Sequence, residues 1–535
     1  MVSMSTLDWR PFFPLETPRP EQVTALDALC SAIEDGKKIL VAELGTGVGK
    51  SAVAVCLSRW MAAREDPPTG FQKGAVVLTS QKVLQDQYVK DFAEARDLRS
   101  AQNFPCSGPL GGTCGETWRV RKAVGKAHAA TLQCTPCPYR IAKDEFALSQ
   151  IGVTNYSYFL SEAVYAGELP MRQLLVLDEA HNVEDEVRRW STVEISENEA
   201  DQHKEVIPAG GTDLDAMLWL RQNFKGKIEH RLGFIGGRLQ KMIGSGQLLD
   251  KIVPRLAEEN DRLDKRKCQI NRLMEYGGEV LVSRHVDREG KKSIRFQPVQ
   301  VGGLAHEILY SRATTTLLMS ATILDKKIFS KCAGLRDPAY VQVPTPFKAA
   351  AFGMRLRSVG KMSRPDIEKS MLNIPRAIQQ ILKDNPNEKG IIHTVSYKIA
   401  QEVAKANNPR LLVQTCGEDR EWILKRHLLS KDPTVMVSPA MMEGLDLRDD
   451  LGRFQVICKI PYPDMSDPIV KKKDWDWYAW RTVRSLVQAA GRSVRSDTDW
   501  TRTYILDECF LDIMHRNGHL LPKHITEALE VEEPF

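Results

Sequence analysis

The chain has 535 residues, 42% of them hydrophobic and 27% charged, with a net charge of +5. It is too long for one ordinary domain and leads to an expectation of three or four. The balance is that of a folded soluble protein and excludes a disordered chain or a uniform polycation; any basic track would have to be local.

No apolar run is long enough to cross a membrane as a helix. The start, MVSMSTLDWRPFFP, lacks the basic and then apolar pattern of a secretory signal. A cytoplasmic location is the expectation, with no membrane partner. There the 11 cysteines should be thiols or metal ligands rather than disulfides.

In chain order, residues 37–44 read as a buried strand, followed by a Gly-rich turn and a helix over 51–63. Residues 74–80 and 174–180 are further apolar runs, ending in hydroxyls and in acids. Strand, loop, helix, strand is the grammar of a parallel α/β sheet, whose ligands bind beyond the carboxyl ends of the strands. Residues 196–292 are rich in Glu, Lys, Arg and Leu and read as an inserted set of helices. Strand signals return at 314–323. Residues 344–347 read as a linker, and a second α/β series follows at 389–397, 410–415, 434–440, 454–462 and 503–508. The expected fold class is α/β, with two domains facing a cleft.

ELGTGVGKS, Glu43 to Ser51, carries the ending of a phosphate-binding loop. Gly45, Gly47 and Gly49 let backbone N–H groups turn to phosphate oxygens. Lys50 would reach the β- and γ-phosphates, and Ser51 would hold Mg²⁺. Leu44 stands where the strict pattern has Gly or Ala. A Gly-rich turn without a ligand would use the same residues.

LLVLDEAH, Leu174 to His181, puts two carboxylates past an apolar strand. Asp178 suits the metal and Glu179 the attacking water, while His181 could link the nucleotide site to a second site. The same acid pair alone could cap a helix. QAAGRSVRS, Gln488 to Ser496, places Arg492 and Arg495 on one helix face, where they could stabilise γ-phosphate charge across the cleft. An exposed basic helix would look similar.

Together these segments resemble the XPD/DinG-like iron–sulfur helicases of superfamily 2, over residues 19–509. RPEQ resembles the adenine-side motif and contributes Gln22. TSQKVLQDQ (Thr79, Gln81) and VTNYSYFL (Asn155) resemble segments lining the nucleic-acid path, and HTVSY contributes Thr394. MSATI, with Ser320 and Thr322, resembles the segment coupling the two sites. EGLDL contributes Asp446, and QAAGRSVRS contributes Gln488. Tyr156 stands where the family often has His.

The resemblance implies two RecA-like P-loop domains with an iron–sulfur lobe and a helical arch inserted in the first. The expected boundaries are 1–105, 141–195 and 293–345 for domain 1, 106–140 for the lobe, 196–292 for the arch and 346–535 for domain 2. It implies ATP and Mg²⁺ as cofactors. The expected activity is 5′-to-3′ translocation on single-stranded DNA, with unwinding of forked duplexes or DNA–RNA hybrids. In a bacterium or phage the location would be nucleoid-associated. No protein partner is legible, and a monomer is the expectation. The alternative is an ATP-gated nucleic-acid remodeller that hydrolyses ATP without processive unwinding.

Cys106, Cys114, Cys134 and Cys137 lie where the family carries a [4Fe–4S] cluster. Their spacing alone would equally suit zinc. Arg119, Arg121, Lys122, Lys126 and His128, between them, could form a basic rim or a solvated loop. In KKKDWDWYAWRTVR, residues 471–484, lysines and aromatics interleave as on a single-strand platform. Core packing is the favoured reading there, with Tyr478 and Trp480 better core candidates than Trp475.

Overall fold

The computed structural model describes residues 7–535 apart from 81, 126–131, 133, 168, 248, 288, 418, 440–448, 492, 493, 495 and 497. Domain 1 opens with helix α1 (Pro20–Glu34), strand β1 (Ile39–Leu44), α2 (Lys50–Arg64), β2 (Phe71–Thr79) and α3 (Lys82–Asp91). It continues through β3 (Ala95–Asp97), α4 (Cys114–Val124), α5 (Pro138–Leu148), β4 (Ile151–Asn155), β5 (Met171–Asp178) and α6 (Val183–Ser191). After β6 (Val193–Ser196) come the long helices α7 (Lys225–Gly244) and α8 (Ile252–Glu275). Then follow β7 (Val280–Val286), β8 (Lys292–Pro298), β9 (Ala313–Ser320) and β10 (Ala339–Val343).

The first sheet has the order β10-β1-β9-β5-β2-β4-β3, with parallel pairings throughout. Both its faces are covered, as parallel sheets require. Along β5, Leu175 and Leu177 enter one apolar cluster, and Leu174 and Val176 enter another. This is why the strand reads as a continuous apolar run.

Domain 2 is a second parallel sheet, β13-β14-β12-β15-β16-β11-β17. Its strands are β11 (Met354–Gly360), β12 (Gly390–His393), β13 (Leu411–Val413), β14 (Val435–Ser438), β15 (Phe454–Ile457), β16 (Arg502–Asp507) and β17 (Leu529–Val531). Helix α9 (Trp475–Ala490) lies between β15 and β16. Asp474 caps it by accepting from Trp477 N at 2.8 Å.

The expected helical insertion also contains strand. β6, β8 and β7 form a small antiparallel sheet at the foot of α7 and α8. Alternation in β8, with Ile294 and Phe296 buried, marks it in the sequence. The cysteine-bearing segment packs on this insertion. Val120, Val124 and Leu132 share an apolar cluster with Leu256, Ala257 and Leu263 of α8. Among the described residues no helix is long and apolar enough to cross a membrane.

Candidate active site

A cavity of about 1100 Å³ lies between the two sheets and is lined by Gly45, Gly47, Gly49, Lys50, Ser51, Asp178, Glu179, His181 and Gln488. β1 leads into it. Leu44 is the last residue of β1 and fully buried, so the departure from the strict pattern belongs to the strand. The loop proper begins at Gly45. Gly47 has φ +88°, and a Cβ there would collide with the Phe347 ring. Lys50 starts α2, so the unpaired N–H groups of that helix's first turn face the loop. Arg19 Nη1 donates to Gly47 O at 2.5 Å, and Gln22 Nε2 donates to Gly49 O at 3.5 Å. The 344–347 linker also lies on the loop, with Thr345 Oγ1 donating to Thr46 O at 2.8 Å.

β5 delivers the acids. Burial raises the Asp178 carboxyl to about 6, reinforced by the Glu179 charge and opposed by Lys50. A cation beside this carboxyl would favour its charged form. Ser51 and Asp178 share a neighbour, Tyr88, whose Oη is 3.3 Å from Asp178 Oδ2, which places two oxygen donors together at the head of α2. That donor set fits Mg²⁺ by chemistry. Glu179 sits in the left-handed region at φ 51°, a strained conformation for a residue with a side chain. Its carboxylate lies 3.7 Å from Lys50 Nζ and 3.3 Å from His181 Nδ1.

His181 joins the two domains. Its Nδ1 is 2.8 Å from Ser320 Oγ, and its Nε2 is 2.6 Å from Gln488 Nε2 on α9. Gln488 also donates to Thr322 Oγ1 at 3.2 Å. Burial lowers the imidazole to about 3, so it is neutral. The Gln488 amide nitrogen can only donate, so Nε2 accepts and Nδ1 carries the proton. Arg484, four residues earlier on α9, donates to His181 O at 2.5 Å.

Helices α6 and α9 also meet through a charged cluster. Arg188 Nη2 donates to Glu184 Oε1 at 2.6 Å, and Trp477 Nε1 donates to Glu184 Oε2 at 3.0 Å. Lys473 pairs with the same carboxylate. Asp185 pairs with Arg481 at 2.5 Å. Trp480 is buried and donates to Ile323 O at 2.7 Å, whereas Trp475 is 74% exposed. Tyr478 is half-buried.

The four cysteines are brought together as free thiols. Cys106 Sγ is 3.9 Å from Cys134 Sγ and also contacts Cys114, while Cys134 contacts Cys137. Burial lifts Cys114 to about 11. Burial opposes the opposite shift at Cys106, where donors from Thr117 and Gly108 prevail and lower it. Four sulfur donors fit a thiophilic metal by type. As they stand they do not surround a common centre: among the described residues no group of three or more His, Cys, Asp or Glu side chains is disposed to hold a metal ion.

Comparison with known proteins agrees with this architecture. The Helicase C-terminal domain model matches residues 378–528, and the DEAD_2 model matches residues 123–200. The chain is 21% identical to the ATP-dependent DNA helicase DinG of Photobacterium profundum, over 71% of this chain and 68% of that one. It is 21% identical to the ATP-dependent DNA helicase YoaA of Escherichia coli, over 85% and 84%. Its fold is similar to a solved XPD helicase, with a TM-score of 0.63 at 15% identity, covering 97% of this chain and all of that one. These matches support an XPD/DinG-like helicase of superfamily 2.

In this XPD/DinG-like chain the residues expected along a nucleic-acid path are placed unevenly. Thr79 and Thr394 are fully buried, because each ends or follows a central strand. Neither hydroxyl faces solvent in this state. Asn155 is half-buried and uses its Oδ1 to accept from Tyr158 N at 2.9 Å. Arg119 and Lys122 form no open rim: Arg119 pairs with Glu258 at 3.1 Å and Lys122 with Asp261 at 3.3 Å, both on α8. Gln81, Lys126, His128, Asp446 with the rest of EGLDL, Arg492 and Arg495 lie outside the described residues.

Sequence reasoning missed several groups. Glu43 accepts from Tyr340, from Gln342 and from Leu324 N at 2.7 Å, tying the glycine loop's strand to the segment after β9. Arg484 could have been found from its i,i+4 relation to Gln488. Glu184 and Tyr88 carried no motif signal.

Proposed function

We propose that this chain uses ATP to move 5′ to 3′ along single-stranded DNA and to separate forked duplexes or DNA–RNA hybrids. The observation that carries the reading is the His181 junction, which ties the acid motif of domain 1 to Gln488 of domain 2. Closure of the two domains on a nucleotide would pass through that junction, as a motor needs.

In this reading Mg²⁺ would supply charge stabilisation for phosphoryl transfer. Ser51 and Asp178 hold it, and Lys50 neutralises the phosphates. Glu179 orients the attacking water. The family resemblance assigns Arg492, Arg495 and Asp446 to the nucleotide site from domain 2, and Gln22 to its adenine side. Thr79, Gln81, Asn155 and Thr394 belong to segments along the strand. Thr79 and Thr394 serve there through domain movement or through neighbouring backbone, since their hydroxyls are enclosed. The expected division into two RecA-like domains, lobe and arch stands as the domain proposal, with the lobe and α8 sharing one core.

The position of the four cysteines within domain 1 supports a [4Fe–4S] cluster. A second reading, structural zinc, is favoured by one distance. The 3.9 Å between Cys106 and Cys134 sulfurs matches the edge of about 3.8 Å that tetrahedral Zn–S bonds of about 2.3 Å give.

Phosphate release with and without a single-stranded oligonucleotide tests the activity. Strand-stimulated hydrolysis that Glu179→Gln abolishes is expected. Hydrolysis indifferent to nucleic acid would overturn the reading.

A further inference from the structure

Two buried tyrosines converge on Asp178, and no role for them follows from the motifs. Tyr88 lies on α3 and is 1% exposed; its Oη is 3.3 Å from Asp178 Oδ2 and the phenol neighbours the Ser51 side chain. Tyr156 follows β4, is 1% exposed, and donates to Asp178 O at 3.4 Å. The carboxylate and the main chain of one residue are thus each held by a phenol.

The two phenols arrive from different places. Tyr88 sits one residue beyond TSQKVLQDQ, and Tyr156 sits inside VTNYSYFL. Both segments are read above as lining the strand path. α3 also carries Gln85, which is fully buried and has no hydrogen-bond partner for either amide atom among the described residues. A buried amide without a partner costs about 1–3 kcal/mol, so a shift of α3 that gave Gln85 one would be favoured. Ser80, Val83, Leu84 and Gln87, around the start of α3, line the nucleotide cavity. A small shift of α3 therefore moves a phenol against the two oxygen donors expected to hold Mg²⁺.

We propose that Tyr88 and Tyr156 are positioning residues that transmit single-strand occupancy to the metal-holding pair Ser51 and Asp178. Tyr88 orients the carboxylate and the hydroxyl, and Tyr156 fixes the main chain beneath them. This rests on the reading of a nucleotide site at Lys50 and a strand path along α3 and residues 153–160.

The test is equilibrium binding of a fluorescent ADP analogue to the full chain, with and without Mg²⁺ and with and without oligo(dT). Tyr88→Phe and Tyr156→Phe keep the ring and remove only the hydroxyl. Expected for the parent is Mg²⁺-dependent binding that oligo(dT) alters. Expected for Tyr88→Phe is about tenfold weaker binding with Mg²⁺, unchanged binding without it, and loss of the oligo(dT) effect. Tyr156→Phe should lose the oligo(dT) effect with a smaller change in affinity. A purely structural role would weaken binding equally with and without the metal, and that result overturns the proposal. So does retention of the oligo(dT) effect in both variants. A parent whose nucleotide affinity ignores both Mg²⁺ and oligo(dT) overturns the underlying site reading and the proposal with it.

Discussion

The Gln488 amide donates to Nε2 of His181 across the domain boundary at 2.6 Å. This bond fixes the tautomer, and the Nδ1 proton is thereby directed toward Ser320 Oγ and Glu179. One neutral ring connects the acid that would orient water, the segment after β9, and α9 of domain 2. Gln488→Ala should leave nucleotide affinity near that of the parent while lowering strand-stimulated hydrolysis about tenfold, the worth of one or two hydrogen bonds in the coupled state. Parallel binding and phosphate-release assays check this. Equal stimulation in both proteins would contradict it.

The Glu184 cluster makes the domain contact costly to break. Its carboxylate meets Arg188, Lys473 and Trp477 in a buried setting. Glu184→Ala would leave buried Arg188 and half-buried Lys473 without this partner, a loss of about 3–5 kcal/mol. Urea unfolding should show a large drop in midpoint for this variant. Lys472→Ala removes only an exposed pair with Glu279 and should leave the midpoint nearly unchanged.

The same carboxylate sets a pH dependence. Burial would raise Glu184, but Arg188 and Lys473 outweigh it and hold the group down at about 2, against an ordinary value of 4.5. A depressed carboxyl stabilises the fold above its unfolded value and loses that contribution as pH falls toward the folded one. The stability difference between the parent and Glu184→Gln should be constant above about pH 5. It should shrink by up to about 3 kcal/mol between pH 4.5 and 2. Stability curves of the two proteins that stay parallel through this range would contradict the assignment.

Most of the fold is legible in the sequence because both sheets are parallel and doubly covered. Their strands then read as continuous apolar runs, as at 39–44 and 171–178. The strands passed over include β3, with three residues, β7 and β8, which alternate as one-sided strands do, and β4, β10 and β11, whose short segments do not stand out from their surroundings. Lys50, Asp178 and His181 are legible because phosphate chemistry ties them to loop ends. Glu184, Arg484 and Tyr88 are not, since their roles arise only when α6, α9 and α3 are brought together in space.

The cysteine lobe yields a prediction about folding as well as colour. Because Val120 and Val124 pack into the core of α8, loss of the metal should loosen the insertion as well as the lobe. Cys134→Ser should lose bound metal and expose residues 225–275 to proteolysis. Protein prepared without air should carry about four irons per chain if the cluster is present, or about one zinc if it is not. An unchanged digestion pattern in the metal-free variant would contradict the shared core.

The central claim is tested most directly by strand separation on labelled forked substrates, comparing the parent with Lys50→Ala. The account predicts that the parent separates a duplex with a 5′ single-stranded tail in the presence of ATP and Mg²⁺. A 3′-tailed duplex should stay intact, and Lys50→Ala should separate neither. Strand-stimulated ATP hydrolysis with no separation of either substrate would contradict it and leave an ATP-gated remodeller in its place.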